Sequence, residues 1–175
     1  AAEHPEWMAE LNPMYVGFVP QNEIQILDLS NPEVLDYLEA LFSRITKDWG
    51  YRWIKMDFSY YAFAMTNMYD PEVSVTEAYR NALVRIREAI GPDVFFLTIS
   101  GQGLCFDVSD SNRLGLDNEP WWGGNFSADP GYKVIYRTVA RRYYLNHRIW
   151  VNHPDLVYYR PQFGLTLAEA RAWTS

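Results

Sequence analysis

The sequence is short of several things, and each shortage closes off a class of function. It has one cysteine, Cys105. An internal disulfide and a cysteine-ligated zinc site are therefore excluded, and a reducing compartment is compatible without being required. It has little positive charge: 15 Lys and Arg against 22 Asp and Glu give a net charge of -7. Nucleic acid, whose phosphates call for a basic surface, is not an expected partner. No apolar run approaches the ~18 residues of a membrane helix, so no membrane partner is expected. The opening stretch, residues 1–10, is polar and acidic and does not read as a secretory leader. The three histidines, His4, His147 and His153, lack metal-ligand spacing, and neither HExxH, GxSxG nor a P-loop occurs. The GxG at Gly101 is not a dinucleotide fingerprint. No repeat, low-complexity tract or linker divides the chain, and 175 residues suggest one domain.

Aromatic residues, by contrast, are plentiful at 17%. Their flat faces with polar edges suit a sugar-binding cleft, and they suit a large core equally well. Strand-like and helix-like segments alternate, which favours an α/β domain with parallel strands. Ser30 or Asn31 can cap a helix whose first turn holds Pro32 and whose buried stripe is Leu35, Leu38, Phe42 and Ile45. Residues 51–58 then read as a strand. A second helix runs from a cap at Thr76 to Ile90, with Tyr79, Leu83, Ile86 and Ile90 inward and Gly91-Pro92 as its stop. Residues 94–99 are an apolar run of the buried parallel-strand kind. A third helix is expected over 132–146, a short strand over 148–152, and further strands over 14–19 and 23–27. Thr166-Leu167-Ala168-Glu169 is a capping box that opens a last helix. That helix begins close to Ser175, which suggests a truncated domain. Three or four βα units fit this length, whereas a complete (β/α)8 barrel needs ~250 residues.

Three segments can carry chemistry. In Trp53-Ile54-Lys55-Met56-Asp57-Phe58, strand alternation puts Lys55 and Asp57 on one face. Asp57 ends the strand, where barrel enzymes place catalysis, and Lys55 favours the ionised carboxylate that a nucleophile requires. A solvated ion pair at a strand end is the plainer alternative. In the second segment, Asp110 to Trp122, Arg113 can bind hydroxyls as a planar donor. Asp117, if desolvated by Trp121 and Trp122, would suit proton donation; a structural Arg–Asp pair in a polar loop is again the plainer alternative. In Asn152-His153-Pro154-Asp155, Asp155 would face the same barrel mouth, or serve only a turn.

In that order, Lys-x-Asp-Phe, Asp-x-x-Arg-x-Gly-x-Asp-x-x-Pro-x-Trp and Asn-x-Pro-Asp resemble the α-galactosidases of glycoside hydrolase families 27 and 36, with family 36 the nearer. His4-Pro5-Glu6-Trp7 and the run from Leu27 to Val34 resemble that family too. The resemblance implies an incomplete (β/α)8 TIM barrel, about strands 4 to 7 with their helices. It implies Asp57 as nucleophile and Asp117 as general acid/base of a retaining enzyme on terminal α-galactosides. It implies Lys55 and Arg113 as ligands of the galactose ring, with Trp53, Cys105, Asp155 and Trp122 as further pocket residues. The backbone at Gly101 would line the pocket floor. The substrate would be a galactose-containing oligosaccharide, with no cofactor and no metal. His153 stands where the family has Asp, and the paired Asp residues of an early barrel strand have no counterpart. The alternatives are an α-N-acetylgalactosaminidase or galactosyl transferase of the same family, a non-catalytic fragment, and a homo-oligomer in which two copies complete a barrel and cover each other's sheet edges.

Overall fold

A computed structural model describes residues 3–12, 25–99, 102–115, 117, 121–123, 131–156 and 164–174. The expected strand over 14–19, the first two residues of that over 23–27, and Gly101 lie outside the described residues; of 25–27, only Leu27 pairs, in an isolated antiparallel bridge with Met8. The chain divides into two compact units, Ala1–Asp110 and Ser111–Ser175.

In the first unit the elements run β1 (Glu10–Leu11), α1 (Pro32–Ser43), β2 (Trp53–Met56), β3 (Met65–Thr66), α2 (Val75–Ile90) and β4 (Phe95–Ile99). Strands β1 and β3 form a small antiparallel pair. Strands β2 and β4 pair in parallel, from Trp53 opposite Phe95 to Met56 opposite Thr98, with α2 as the crossover. Asn31 caps α1 by accepting a hydrogen bond from the Glu33 amide at 2.9 Å, with Pro32 in the first turn. The stripe Leu35, Leu38, Phe42 and Ile45 is half-buried, and Val34 is the buried anchor of this helix. The cap of α2 is Ser74, not Thr76. Its hydroxyl accepts from the Glu77 amide at 3.2 Å, the Ser-x-x-Glu arrangement in which the hydroxyl reaches the third helical residue. Gly91, at φ 78, ends the helix as the sequence suggests. Tyr79, Leu83, Ile86 and Ile90 are buried together with Ala78, Ala82 and Ala89, and Phe96 to Ile99 of β4 are buried as well. Burying each large apolar side chain contributes ~1.5–3 kcal/mol, so this helix face and strand form the main core of the unit.

The second unit holds β5 (Ser111–Arg113), α3 (Gly131–Arg142), β6 (Val151–His153) and α4 (Leu167–Thr174). Strands β5 and β6 are again parallel, with Ser111 opposite Val151 and Arg113 opposite His153, and α3 lies between them in sequence. Helix α3 stops at Arg142, short of Asn146, because the backbone leaves the helical region there and tightens into one 3-10 turn, Tyr143–Leu145. The capping box opens α4 as expected: Glu169 accepts from the Thr166 amide at 2.8 Å, and the Glu169 amide donates to the Thr166 hydroxyl at 3.2 Å. The fold is α/β with parallel strand pairing, as the alternating pattern implies. Among the described residues no helix is long and apolar enough to cross a membrane.

Candidate functional site

The three carboxylates singled out in the sequence all follow the C-terminal ends of parallel strands. Asp57 comes directly after β2, Asp117 four residues after β5, and Asp155 two residues after β6. In α/β folds this is the edge where binding and chemistry collect.

In the first unit, alternation along β2 buries Ile54 and leaves Trp53 and Lys55 exposed, so Asp57 falls on the face of Lys55. Lys55 Nζ stands 3.4 Å from Asp57 Oδ2, and both side chains are about a third exposed. Asp57 Oδ1 accepts a hydrogen bond from the amide of Phe58 at 2.9 Å. Both carboxylate oxygens are thus held by donors. Phe58 adopts a left-handed backbone, φ 54. A bulky residue takes that conformation only where its surroundings enforce it. The turn swings the chain into a 3-10 helix, Ser59–Ala64, and leaves the rings of Phe58, Tyr60 and Tyr61 clustered beside Asp57, with centroids 4.6 to 6.2 Å apart. Trp53, two residues before Lys55 on the same face of β2, is 52% exposed, open enough for one side of its indole to meet a ligand.

Cys105 is fully buried in this unit. Its thiol lies within hydrogen-bonding reach of Thr98, Tyr79 and Ser109, and burial pushes its pKa up. The Tyr79 hydroxyl is pushed up too, chiefly by burial. It sits 3.0 Å from Ser59 Oγ, while Thr98 Oγ1 and Ser109 Oγ are 2.8 Å apart. Cys105 therefore stands in a polar network behind the surface that carries Asp57.

In the second unit, Arg113 ends β5 with its side chain 8% exposed. Its Nη1 donates to Asp117 Oδ1 at 2.6 Å and stands 3.8 Å from Asp155 Oδ1. One buried guanidinium is thus shared by two carboxylates, Asp155 at 8% and Asp117 at 71% side-chain exposure. The Arg113 Nε has no hydrogen-bond partner among the described residues. Register places His153 next to Arg113, and the Leu114 amide donates to the His153 carbonyl at 3.1 Å. His153 Nδ1 accepts from the amide of Asp155, whose backbone is left-handed at φ 73. His153 thus helps to turn the chain so that the Asp155 carboxylate approaches Arg113. The desolvation of Asp117 by Trp121 and Trp122 is not met. Asp117 is open to solvent, and Trp122 packs against Tyr132, Leu165 and Ala170. The carbonyls of Trp121 and Trp122 accept from the amides of Tyr132 and Lys133 in the first turn of α3.

The structure brings Lys55 to Asp57 and Arg113 to Asp117 and Asp155. Sequence reasoning missed the contribution of Tyr79, Ser59 and the left-handed Phe58. The signal for Tyr79 was only its place in a buried stripe, which says nothing of its hydroxyl. Among the described residues no group of three or more His, Cys, Asp or Glu could hold a metal ion.

No family model matches the chain. Solved structures do. The chain matches the α-galactosidase of Thermus thermophilus in complex with p-nitrophenyl α-D-galactopyranoside with a TM-score of 0.77 and 26% identity, over 98% of this chain and 36% of that one. The chain resembles an α-galactosidase of family 36. A second structure of the same enzyme, in complex with stachyose, matches at 0.76 and 26%, over 98% of this chain and 38% of that one. The chain therefore spans little more than a third of the α-galactosidase it matches. The likeness to this α-galactosidase covers nearly the whole chain.

Proposed function

We propose that this chain is the catalytic part of a retaining glycoside hydrolase that cleaves terminal α-galactosides of oligosaccharides, with Asp57 as nucleophile and Asp117 as general acid/base. The observation that carries this reading is the likeness to an α-galactosidase over 98% of the chain, with that enzyme bound to galactosides. The position of Asp57 and Asp117 after the ends of parallel strands supports it. The two compact units are read as successive βα portions of a single (β/α)8 catalytic domain, about strands 4 to 7.

The chemistry needs two carboxyl groups roughly 5 Å apart across one glycosidic bond. Lys55 and the Phe58 amide hold Asp57 oriented for attack on the anomeric carbon. Asp117 passes a proton to the leaving oxygen, the bond to that oxygen breaks, and a covalent glycosyl–Asp57 ester remains. Asp117, now a base, takes a proton from water as the water attacks, which frees the sugar and restores both side chains. Arg113 is read as a ligand of the galactose ring, and Asp155 steadies its guanidinium. Trp53 and Trp122 would present apolar faces to the sugar. Cys105 acts from behind, through the network that includes Tyr79. No cofactor enters the scheme.

Rates on aryl α-galactosides with good and poor leaving groups test it. Asp57→Ala abolishes turnover of both. Asp117→Ala slows the poor leaving group ~10²-fold or more and the good one far less, because only the former needs protonation. Equal losses on the two substrates contradict the acid/base assignment. A higher rate on the matching N-acetylgalactosaminide would move the substrate assignment to the amino sugar.

A further inference from the structure

We propose that Tyr79 is a positioning residue for Asp57: from α2 it grips the loop that follows β2 at two points, Ser59 and Phe63, and thereby fixes the nucleophile's carboxylate. The inference rests on the reading of Asp57 as nucleophile.

The loop has an unfavourable backbone at its start, Phe58 at φ 54, one residue after Asp57. That conformation persists only if the next residues are tied down, and the peptide that leads into it carries the Phe58 amide that donates to Asp57 Oδ1. Tyr79 supplies the tie. It is among the largest fully buried side chains. Its ring meets that of Phe63 at 4.8 Å, and its hydroxyl meets Ser59 Oγ at 3.0 Å. Ser59 Oγ reaches in addition the carbonyl of Ile99 at the end of β4, at 3.4 Å. The same phenol is in hydrogen-bonding contact with Cys105, which meets Thr98 and Ser109. Cys105 and Thr98 are fully inaccessible and Ser109 nearly so. A chain of polar groups thus runs through an otherwise apolar interior, from β4 by way of α2 to the loop beside Asp57. A phenylalanine would fill the same space with no hydroxyl to satisfy. The hydroxyl's specific effect is to fix the register of Ser59, two residues beyond Asp57.

The test uses Tyr79→Phe, Ser59→Ala and their double variant. Amide hydrogen exchange over 58–64, referred to the amides of α2, is expected to quicken about five- to tenfold in each single variant and no further in the double. On an aryl galactoside, kcat is expected to fall about tenfold with KM within about twofold, because an ill-aimed nucleophile slows chemistry without weakening binding. Ser59→Thr, which keeps the hydroxyl, is expected to recover most of the rate. Loop exchange unchanged in Ser59→Ala overturns the proposal, and so does a double variant whose effect is the sum of the two singles. Should Tyr79→Phe fold poorly, Ser59→Ala breaks the same contact without touching the helix. Loss of the reading on which this rests looks different: Asp57→Ala keeps its activity, while the exchange result stands by itself.

Discussion

Arg87 and Arg85 lie two residues apart on α2, and replacing each by Met is expected to give very different results. The Arg87 side chain is 17% exposed. Its Nε donates to the Val108 carbonyl at 2.6 Å, its Nη1 to Gly91 and Val94 at 3.2 and 2.9 Å, and its Nη2 to Asp110 Oδ2 at 2.5 Å. The guanidinium also lies 5.4 Å from the Phe96 ring centroid. It thus ties the end of α2, the start of β4 and the approach to Asp110 into one clamp. Each bond to a charged donor is worth ~1.5–3 kcal/mol, but bonds sharing one group do not add. Breaking a buried pair costs ~3–5 kcal/mol. Asp110 is 39% exposed and keeps the Phe96 amide at 2.7 Å, so water and that amide recover part of the loss. Arg87→Met is therefore expected to cost ~3 kcal/mol. Arg85 reaches Asp36 and Glu39 from a surface where those carboxylates are 72% and 48% exposed. Arg85→Met is expected to cost under ~1 kcal/mol, the range of surface pairs. Urea denaturation followed by circular dichroism measures both. With m of ~1–3 kcal/mol/M, the Arg87 variant shifts the midpoint by ~1 M or more. Equal shifts for the two, or a loss below ~1 kcal/mol for Arg87, would refute the clamp.

Alkali should weaken the fold through Cys105 and Tyr79. Burial raises the pKa of both, so the folded state keeps protons that the unfolded chain gives up. Their stabilising contribution is full below the unfolded thiol's pKa, ~8.5, and falls as pH rises toward the folded values; urea midpoints at neutral and alkaline pH should decline, and Cys105→Ala should soften the decline. Acid acts on α4 with the opposite sign. The Thr166 amide and hydroxyl hold the Glu169 carboxyl below the usual carboxylate range, so its contribution is present above that range and disappears as pH falls through the folded value. Protection of the α4 amides, referred to the intrinsic exchange rate at each pH, should fall in acid, and Thr166→Ala should produce the same fraying at neutral pH.

Much of this was legible in the sequence, for identifiable reasons. Caps and stops are local, so Asn31-Pro32, Gly91 and the Thr166–Glu169 box fixed their helix ends. Where two local candidates competed, as Ser74 and Thr76 did, composition could not choose; the choice depends on which hydroxyl reaches a free amide. The period-two pattern of β2 put Lys55 beside Asp57, because alternation is a property of the strand itself. The sharing of Arg113 between Asp117 and Asp155 depends on the register of β5 against β6, which no single segment encodes. The solvent exposure of Asp117 is not readable from Trp121 and Trp122, which stand close in sequence while Trp122 packs elsewhere, on Tyr132 and Leu165. The same limit hid Tyr79: periodicity marks it as inward-facing, and only tertiary packing shows its hydroxyl meeting Ser59.

The central claim is that Asp57 forms a covalent bond to the sugar. Mass spectrometry of peptides after reaction with a slowly turned-over fluorinated galactosyl donor tests it most directly. The account predicts one glycosyl adduct, on the peptide containing Asp57, absent from Asp57→Ala. An adduct on any other carboxylate, or turnover with inversion at the anomeric carbon, would contradict it.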